Sequence, residues 1–217
     1  MQVLLCAATA FEIQPTIDFI KQQELQNEVG IKITGVGLVA ATYAITSSIF
    51  KNNPDLVLQG GIAGSFDHSI PLGTAVTVQS ETLGGLGVQE GETFHTAFDL
   101  KLADPNEAPW TNGSMVNPHE QLLQSIGLPM VNGVSVQEIS TDPVRIGHLQ
   151  TLTTAQIETM EGASLHYAAL MGGVPFAQIR TISNYVGERD KRAWGLQDSI
   201  EELNVQLQTI LIKILNL

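Results

Sequence analysis

The sequence predicts an α/β fold in a single domain spanning residues 1–217, with a largely parallel sheet and helices on both of its faces. Three observations carry this. Strand-like and helix-like segments alternate through most of the chain. Several strand-like segments are continuous apolar runs, the pattern of strands buried on both faces. The 217 residues suit one domain, and no internal repeat, low-complexity stretch or composition break divides them.

Gln2 to Ala8 is the first such run and reads as a central strand. A helix follows from Ala10 to Gln26, with Pro15 near its first turn, where proline is tolerated. Ile31 to Gly35 is a short strand, and Gly35 and Gly37 mark a turn. Val39 to Phe50 reads as a packed helix ended by Asn52-Asn53-Pro54. Leu56 to Leu58 opens another buried strand, running into a glycine-rich turn, Gln59-Gly60-Gly61-Ile62-Ala63-Gly64-Ser65. Thr74 to Gln79 alternates as a strand does. Glu81 to Asn117 lacks periodicity and reads as a long loop. With Phe94, His95, Phe98 and Trp110 it is too aromatic for a plain linker and suits a pocket wall or subunit interface. Next come a short helix (Pro118 to Ser125), a strand (Val131 to Val136), and a loop that can hold a short helix and contains Arg145 and His148 (Thr141 to Thr154). A strand (Gln156 to Met160) then leads into a small-residue helix (Ala163 to Met171) closed by Gly172-Gly173. Phe176, Ile179 and Ile182 mark a buried strand that becomes a polar loop at Asn184. Leu196 to Leu215 carries Leu196, Ile200, Leu203, Leu207, Ile210 and Ile214 at helical spacing and is a long packing helix.

Hydrophobic residues make up 43% of the chain, enough for a sizeable core. A net charge of −12 repels nucleic acid and anionic membrane. Cys6 is the only cysteine, sits in the first apolar run and is expected to be buried and inert. No apolar run reaches membrane-spanning length, and the N-terminus lacks the basic start of a secretory signal, so a cytoplasmic protein is expected.

Ligands of open α/β sheets bind outside the carboxyl ends of strands. Glu12, Gly60 to Ser65, Met160-Glu161 and Ser183-Asn184 each follow a strand, and if the strands are mostly parallel they share one edge. Three have a plain alternative: a first-turn acid for Glu12, a tight turn for the glycines, an Asx turn for Asn184. The glycine spacing fits neither a P-loop nor a dinucleotide fingerprint. The five histidines (His68, His95, His119, His148, His166) show no paired ligand spacing, so no metal is expected. Without a Gly-x-Ser-x-Gly elbow or a base placed by Cys6, Ser or Cys nucleophiles are disfavoured. Two carboxylates suggest acid–base work or binding of a polyol.

Four segments resemble the purine nucleoside phosphorylase and nucleosidase superfamily: Ala7-Ala8-Thr9-Ala10-Phe11-Glu12, Gln59-Gly60-Gly61-Ile62-Ala63-Gly64, Thr159-Met160-Glu161-Gly162-Ala163 and Arg180 to Asp190. The Asn184-Tyr185-Val186-Gly187-Glu188-Arg189-Asp190 tail is similar to the futalosine hydrolase branch. The resemblance implies a three-layer α/β/α sandwich with a central mixed, largely parallel sheet. It implies cleavage of a ribose N-glycosidic bond without a cofactor, releasing hypoxanthine and dehypoxanthine futalosine from futalosine on the way to menaquinone. It gives Glu12 the carboxylate that activates water and Met160 the packing on the ribose face. Glu161 takes the ribose hydroxyls, and Asn184 engages the purine, where methylthioadenosine nucleosidases carry Asp. Gly61, Ala63 and Gly64 bring backbone to the sugar. Relatives' purine-stacking aromatic has no counterpart near Val136 to Ile139. The basic cluster Arg189, Lys191 and Arg192, with Arg145 as a further candidate, is expected to include the partner of the substrate's benzoate carboxylate; the alternative is a solvated surface cluster. A homodimer or higher homo-oligomer is implied, with the aromatic loop at the contact.

The alternatives are a phosphorylase of purine nucleosides, a methylthioadenosine/S-adenosylhomocysteine nucleosidase, and a non-catalytic nucleoside-binding module. A phosphorylase needs cations for phosphate, and the turns around Glu12 and Gly61 contain none. A binding module has no need of Glu12.

Overall fold

A computed structural model describes residues 1–216; the side chains of Leu152 and Lys191 also lie outside the described set. In chain order the elements are β1 (Val3–Ala7), α1 (Ala10–Gln22), β2 (Val29–Ile33), α2 (Leu38–Asn52), β3 (Leu56–Ser65), β4 (Ala75–Leu83), β5 (Gly87–Glu90), β6 (Thr93–Thr96) and β7 (Met115–Val116). They continue with α3 (Glu120–Ile126), β8 (Met130–Ser135), α4 (Pro143–Thr153), β9 (Ile157–Thr159), α5 (Gly162–Gly172), β10 (Phe176–Tyr185), a short 3-10 turn and α6 (Leu196–Leu215).

The apolar run at the N-terminus is continuous because β1 is buried on both faces. Val3, Leu5 and Ala7 pack with Ile13, Ile20, Leu123, Leu203 and Leu207 of α1, α3 and α6. Leu4 and Cys6 face the other way, onto Ile45, Ile49, Leu165 and Ala169 of α2 and α5. That alternation makes the three layers. Burial pushes the Cys6 thiol up to about 12, so it stays protonated and inert. No helix among the described residues is long and apolar enough to cross a membrane.

The sheet is mixed. β1, β2, β3 and β10 run parallel to one another. β4, β8 and β9 form a second parallel set, which meets the first antiparallel at β10–β4 and β3–β9. Both junctions exist, so β3, β10, β4, β8 and β9 close into a ring, and β1 and β2 extend from β3.

Several expectations need correction. The residues Gly60 to Ser65 are not a turn; they are the second half of β3, paired to β10 throughout. β9 runs against β3, so its carboxyl end turns back along that strand instead of joining the other strand ends. The stretch from Glu81 to Asn117 contains the end of β4, the β5–β6 hairpin and β7. The span from Thr141 to Thr154 contains a full helix, α4, started by Asp142, whose side chain accepts from Arg145 N.

Candidate active site

Glu12 stands in the first turn of α1. Its Oε2 accepts from the Thr9 N–H and hydroxyl at 3.0 and 2.9 Å. The plain reading of this acid as a helix-start group is therefore realised by one oxygen. The other, Oε1, has a single long contact, the Ile62 N–H at 3.4 Å, and points at β3.

β3 is bare where Glu12 meets it. A Cβ on Gly61 would fall on the Arg180 guanidinium and lie 3.3 Å from Glu12 Oε1, so glycine is what lets both side chains close over the strand. Arg180 pairs with Gly61 in register. It is 1% exposed and donates to Gln59 Oε1 at 2.8 Å. Sequence reasoning gave Arg180 no role; the signal was a cation, with Gln178, alternating against Ala177 and Ile179 in a strand that begins apolar. The turns around Glu12 and Gly61 contain no cation, but the tertiary structure brings one in from β10.

Glu161 is the N-cap residue of α5, yet its side chain does not cap the helix. Oε1 instead accepts from the Gly37 N–H at 2.8 Å, linking α5 to the start of α2. Burial pushes its carboxyl up, Arg180 pulls it back, and the nearby Glu12 charge adds to the rise. Glu161 thus feels both Arg180 and Glu12, which meet over Gly61. The reversal of β9 causes this meeting: with Gly64 opposite Glu158, the residues after β9 run back toward Gly61. Met160 is half-buried beside them. Gln137, another residue the sequence did not single out, accepts from Leu38 N at 3.0 Å and borders Gly37.

Asn184 lies further along the same strand pair, opposite Gly64. Three residues of extended chain from Gly61 is about 10 Å, the scale of a sugar and a base laid end to end. The half-buried amide is engaged locally. Nδ2 donates to Tyr185 O at 3.0 Å, and Oδ1 accepts from Ser183 Oγ at 2.9 Å. Ala63 points its side chain into an apolar cluster with Val76, Val78 and Ile182.

The cations expected near the benzoate separate. Arg192 is bound to Asp190, with Nη2–Oδ2 at 2.6 Å, and is fully in solvent. Arg189 lies over the Trp194 ring, 5.6 Å from its centroid. The Lys191 side chain falls outside the described set. Arg145 lines a cavity of about 1070 Å³ between α4 and the β5–β6 hairpin, walled also by Leu86, Phe94, Phe98 and Leu149. There it pairs with Glu138 at 3.2 Å. Phe94 and Phe98 of the aromatic loop do wall a pocket, although Glu12, Glu161 and Asn184 do not line it. Among the described residues no group of three or more His, Cys, Asp or Glu is placed to hold a metal ion.

The sequence model of the phosphorylase superfamily matches residues 9–216. A futalosine hydrolase from Thermus thermophilus is 31% identical over 172 residues, covering 78% of this chain and 75% of that one. A 5'-methylthioadenosine/S-adenosylhomocysteine nucleosidase from Shewanella halifaxensis is 27% identical over 175 residues, 77% of this chain and 73% of that one. The solved structure of a futalosine hydrolase from Helicobacter pylori has the same fold, with a TM-score of 0.76 at 17% identity over 98% of each chain.

Proposed function

The chain belongs to the phosphorylase superfamily, and from that premise we propose that it is a nucleosidase whose substrate is futalosine. Hydrolysis of the N-glycosidic bond releases hypoxanthine and leaves dehypoxanthine futalosine, a step toward menaquinone. The observation that carries the reading is the meeting of Glu12 and Arg180 over Cβ-free Gly61, with Glu161 near enough to feel both charges and Asn184 a sugar and a base further along the β3–β10 pair.

N-glycosidic cleavage passes through an oxocarbenium-like ribosyl cation. Glu12 Oε1, the oxygen not occupied by Thr9, orients the attacking water and stabilises that cation. Glu161 keeps Oε2 for the ribose hydroxyls, since Oε1 is held by Gly37 and a carboxylate only accepts. Gly61 lets the backbone and Arg180 approach the sugar, and Met160 packs on its face. Asn184 turns from Ser183 and Tyr185 to the purine, its NH₂ toward O6 and its C=O toward the proton on N7 of the departing base.

Arg180 does not convert the site into a phosphate site. Its charge acts on the Glu161 carboxyl, and Glu12 Oε1 lies with it over the Cβ-free face of Gly61. An inorganic anion there would meet two carboxylates. A methylthioadenosine nucleosidase would use the same ribose machinery and differ at the base, where Asn184 favours a 6-oxopurine. Incubation with futalosine, inosine and methylthioadenosine, with and without phosphate, separates these. The expected result is phosphate-independent release of hypoxanthine from futalosine. Phosphate-dependent cleavage of inosine, or a preference for methylthioadenosine, would overturn it.

The same reading pairs two copies of the chain. Val39, Tyr43 and Phe50 leave three quarters of their surface exposed (77%, 76% and 75%) along one side of α2, and Tyr167 and Met171 are exposed on the neighbouring α5. Contiguous exposed apolar surface of this kind marks an interaction face. Val36 and Gly37 at its upper end adjoin Glu161. Light scattering of the protein and of a Tyr43→Glu, Phe50→Glu variant checks this: a dimer that becomes monomeric is expected, and a monomeric parent removes the pairing.

A further inference from the structure

Glu81 is fully buried on β4 and has no part in the reaction described above, yet it is the hub of the polar interior. Its Oε1 accepts from Gln178 Nε2 at 2.9 Å and from Thr159 Oγ1 at 3.3 Å. Its Oε2 accepts from Ser135 Oγ at 3.0 Å. Both hydroxyls pass the contact on. Thr159 Oγ1 accepts from the Gly162 N–H at 3.2 Å, and Ser135 Oγ from the Ala163 N–H at 2.8 Å.

Gly162 and Ala163 carry the first two amides of α5, which have no partner inside the helix and hold the positive end of its dipole. An N-cap side chain usually satisfies them, but Glu161 occupies that position and reaches Gly37 instead. The capping work is done from below, by a carboxylate acting through two hydroxyls. The fit is close: a Cβ on Gly162 would fall on Glu81 Oε1. On the other side Gln178 lies two residues before Arg180, on the same face of β10.

We propose that Glu81 is the positioning residue of the site, holding the start of α5 so that the Glu161 carboxylate is free to grip the ribose. This rests on the nucleosidase reading of Glu161. The charged and titratable groups around Glu81 are Arg180 on β10 and, beyond Gln178, His166 on α5, whose Nδ1 is bonded to Met115 O. β8 brings no titratable side chain, and Glu158 of β9 is turned to the Ser140 N–H. A buried acid pushed up to about 7 by desolvation is costly to keep for packing alone.

The test uses sugar discrimination, which general damage to the fold does not alter. Glu81→Gln keeps the size of the side chain, and Ser135→Ala cuts the relay at its midpoint should the first variant fold poorly. Each is compared with Glu161→Gln on a purine riboside and its 2′-deoxyriboside, with thermal melts alongside. Losing a hydrogen bond to a charged group corresponds to about ten- to hundred-fold, so kcat/KM on the riboside is expected to fall by about that factor. The deoxyriboside should change only a few-fold, and Glu81→Gln should add little to Glu161→Gln in the double variant. Equal losses on the two sugars, or no loss, overturn the role of Glu81. If Glu161→Gln itself leaves sugar discrimination intact, the reading of Glu161 fails instead.

Discussion

Replacing Glu12 by Gln keeps the length of the side chain and removes its charge. Oε2 receives both the N–H and the hydroxyl of Thr9, so the amide oxygen of the variant will take that place. The NH₂ is then forced into the position of Oε1, against the Ile62 N–H 3.4 Å away and beside Arg180. A donor there can neither orient water by accepting its proton nor stabilise a cation. The helix start is largely preserved, so the stability cost should stay near 1 kcal/mol, the usual worth of a capping contact. That corresponds to about 2–4 °C in Tm for a chain of this size. Removing a general base costs about 10²–10⁴-fold in rate, or roughly 3–5 kcal/mol of transition-state stabilisation. The assay is hypoxanthine release from futalosine under saturating substrate, with melting curves on the same samples. A variant within a few-fold of the parent in kcat would show that Glu12 only starts a helix, and the assignment would be abandoned.

Glu161→Gln should cost ribosides most and lose discrimination against 2′-deoxyribosides, measured as the ratio of kcat/KM on the two sugars; equal losses would point to damage at the start of α5. Arg145→Ala should raise KM for futalosine and leave inosine alone, because Arg145 lines a cavity whose Leu86, Phe94 and Phe98 can hold an aryl ring, where the carboxylate would compete with Glu138 for the guanidinium, while Arg189→Ala, whose guanidinium lies on Trp194, should do less; the opposite ranking moves the benzoate contact back to Arg189. Asn184→Asp should shift preference from futalosine toward its 6-amino analogue by about ten- to hundred-fold, the cost of one mispaired buried polar group, and an unchanged ratio leaves Asn184 with only its bonds to Ser183 and Tyr185. Burial raises the Glu81 carboxyl from its ordinary 4.5 to about 7, so the folded state holds this proton more tightly than the unfolded chain does. Its contribution to stability is full below about pH 4.5 and is lost as pH rises through about 7, in total on the order of 3 kcal/mol. Chemical denaturation across that window should show Glu81→Gln with a flatter slope and equal or greater stability at about pH 8.

What the sequence determined by itself is local. The run from Gln2 to Ala8 announced a strand buried on both faces, because only such a strand needs apolar residues at every position. The spacing from Leu196 to Leu215 announced α6 with its bounds, because a helix that packs along one side repeats its apolar residues every three to four. Glu12, Met160, Glu161 and Asn184 stood out because each read as following a strand, although Asn184 lies inside β10. What only the tertiary structure decided is pairing and direction. Nothing in Gln156 to Met160 says that β9 runs against β3, yet that reversal brings Glu161 to Gly61. Nothing local distinguishes Gly60 to Ser65 as strand from turn, since glycine permits both, and pairing with β10 makes it strand. Arg180 was illegible for the same reason, and Glu81 because it read as the start of a long loop. A charged residue in a strand pattern ordinarily faces solvent, and only the closure of β3, β10, β4, β8 and β9 into a ring gives these two an interior where Gln59, Gln178, Ser135 and Thr159 can pair with them.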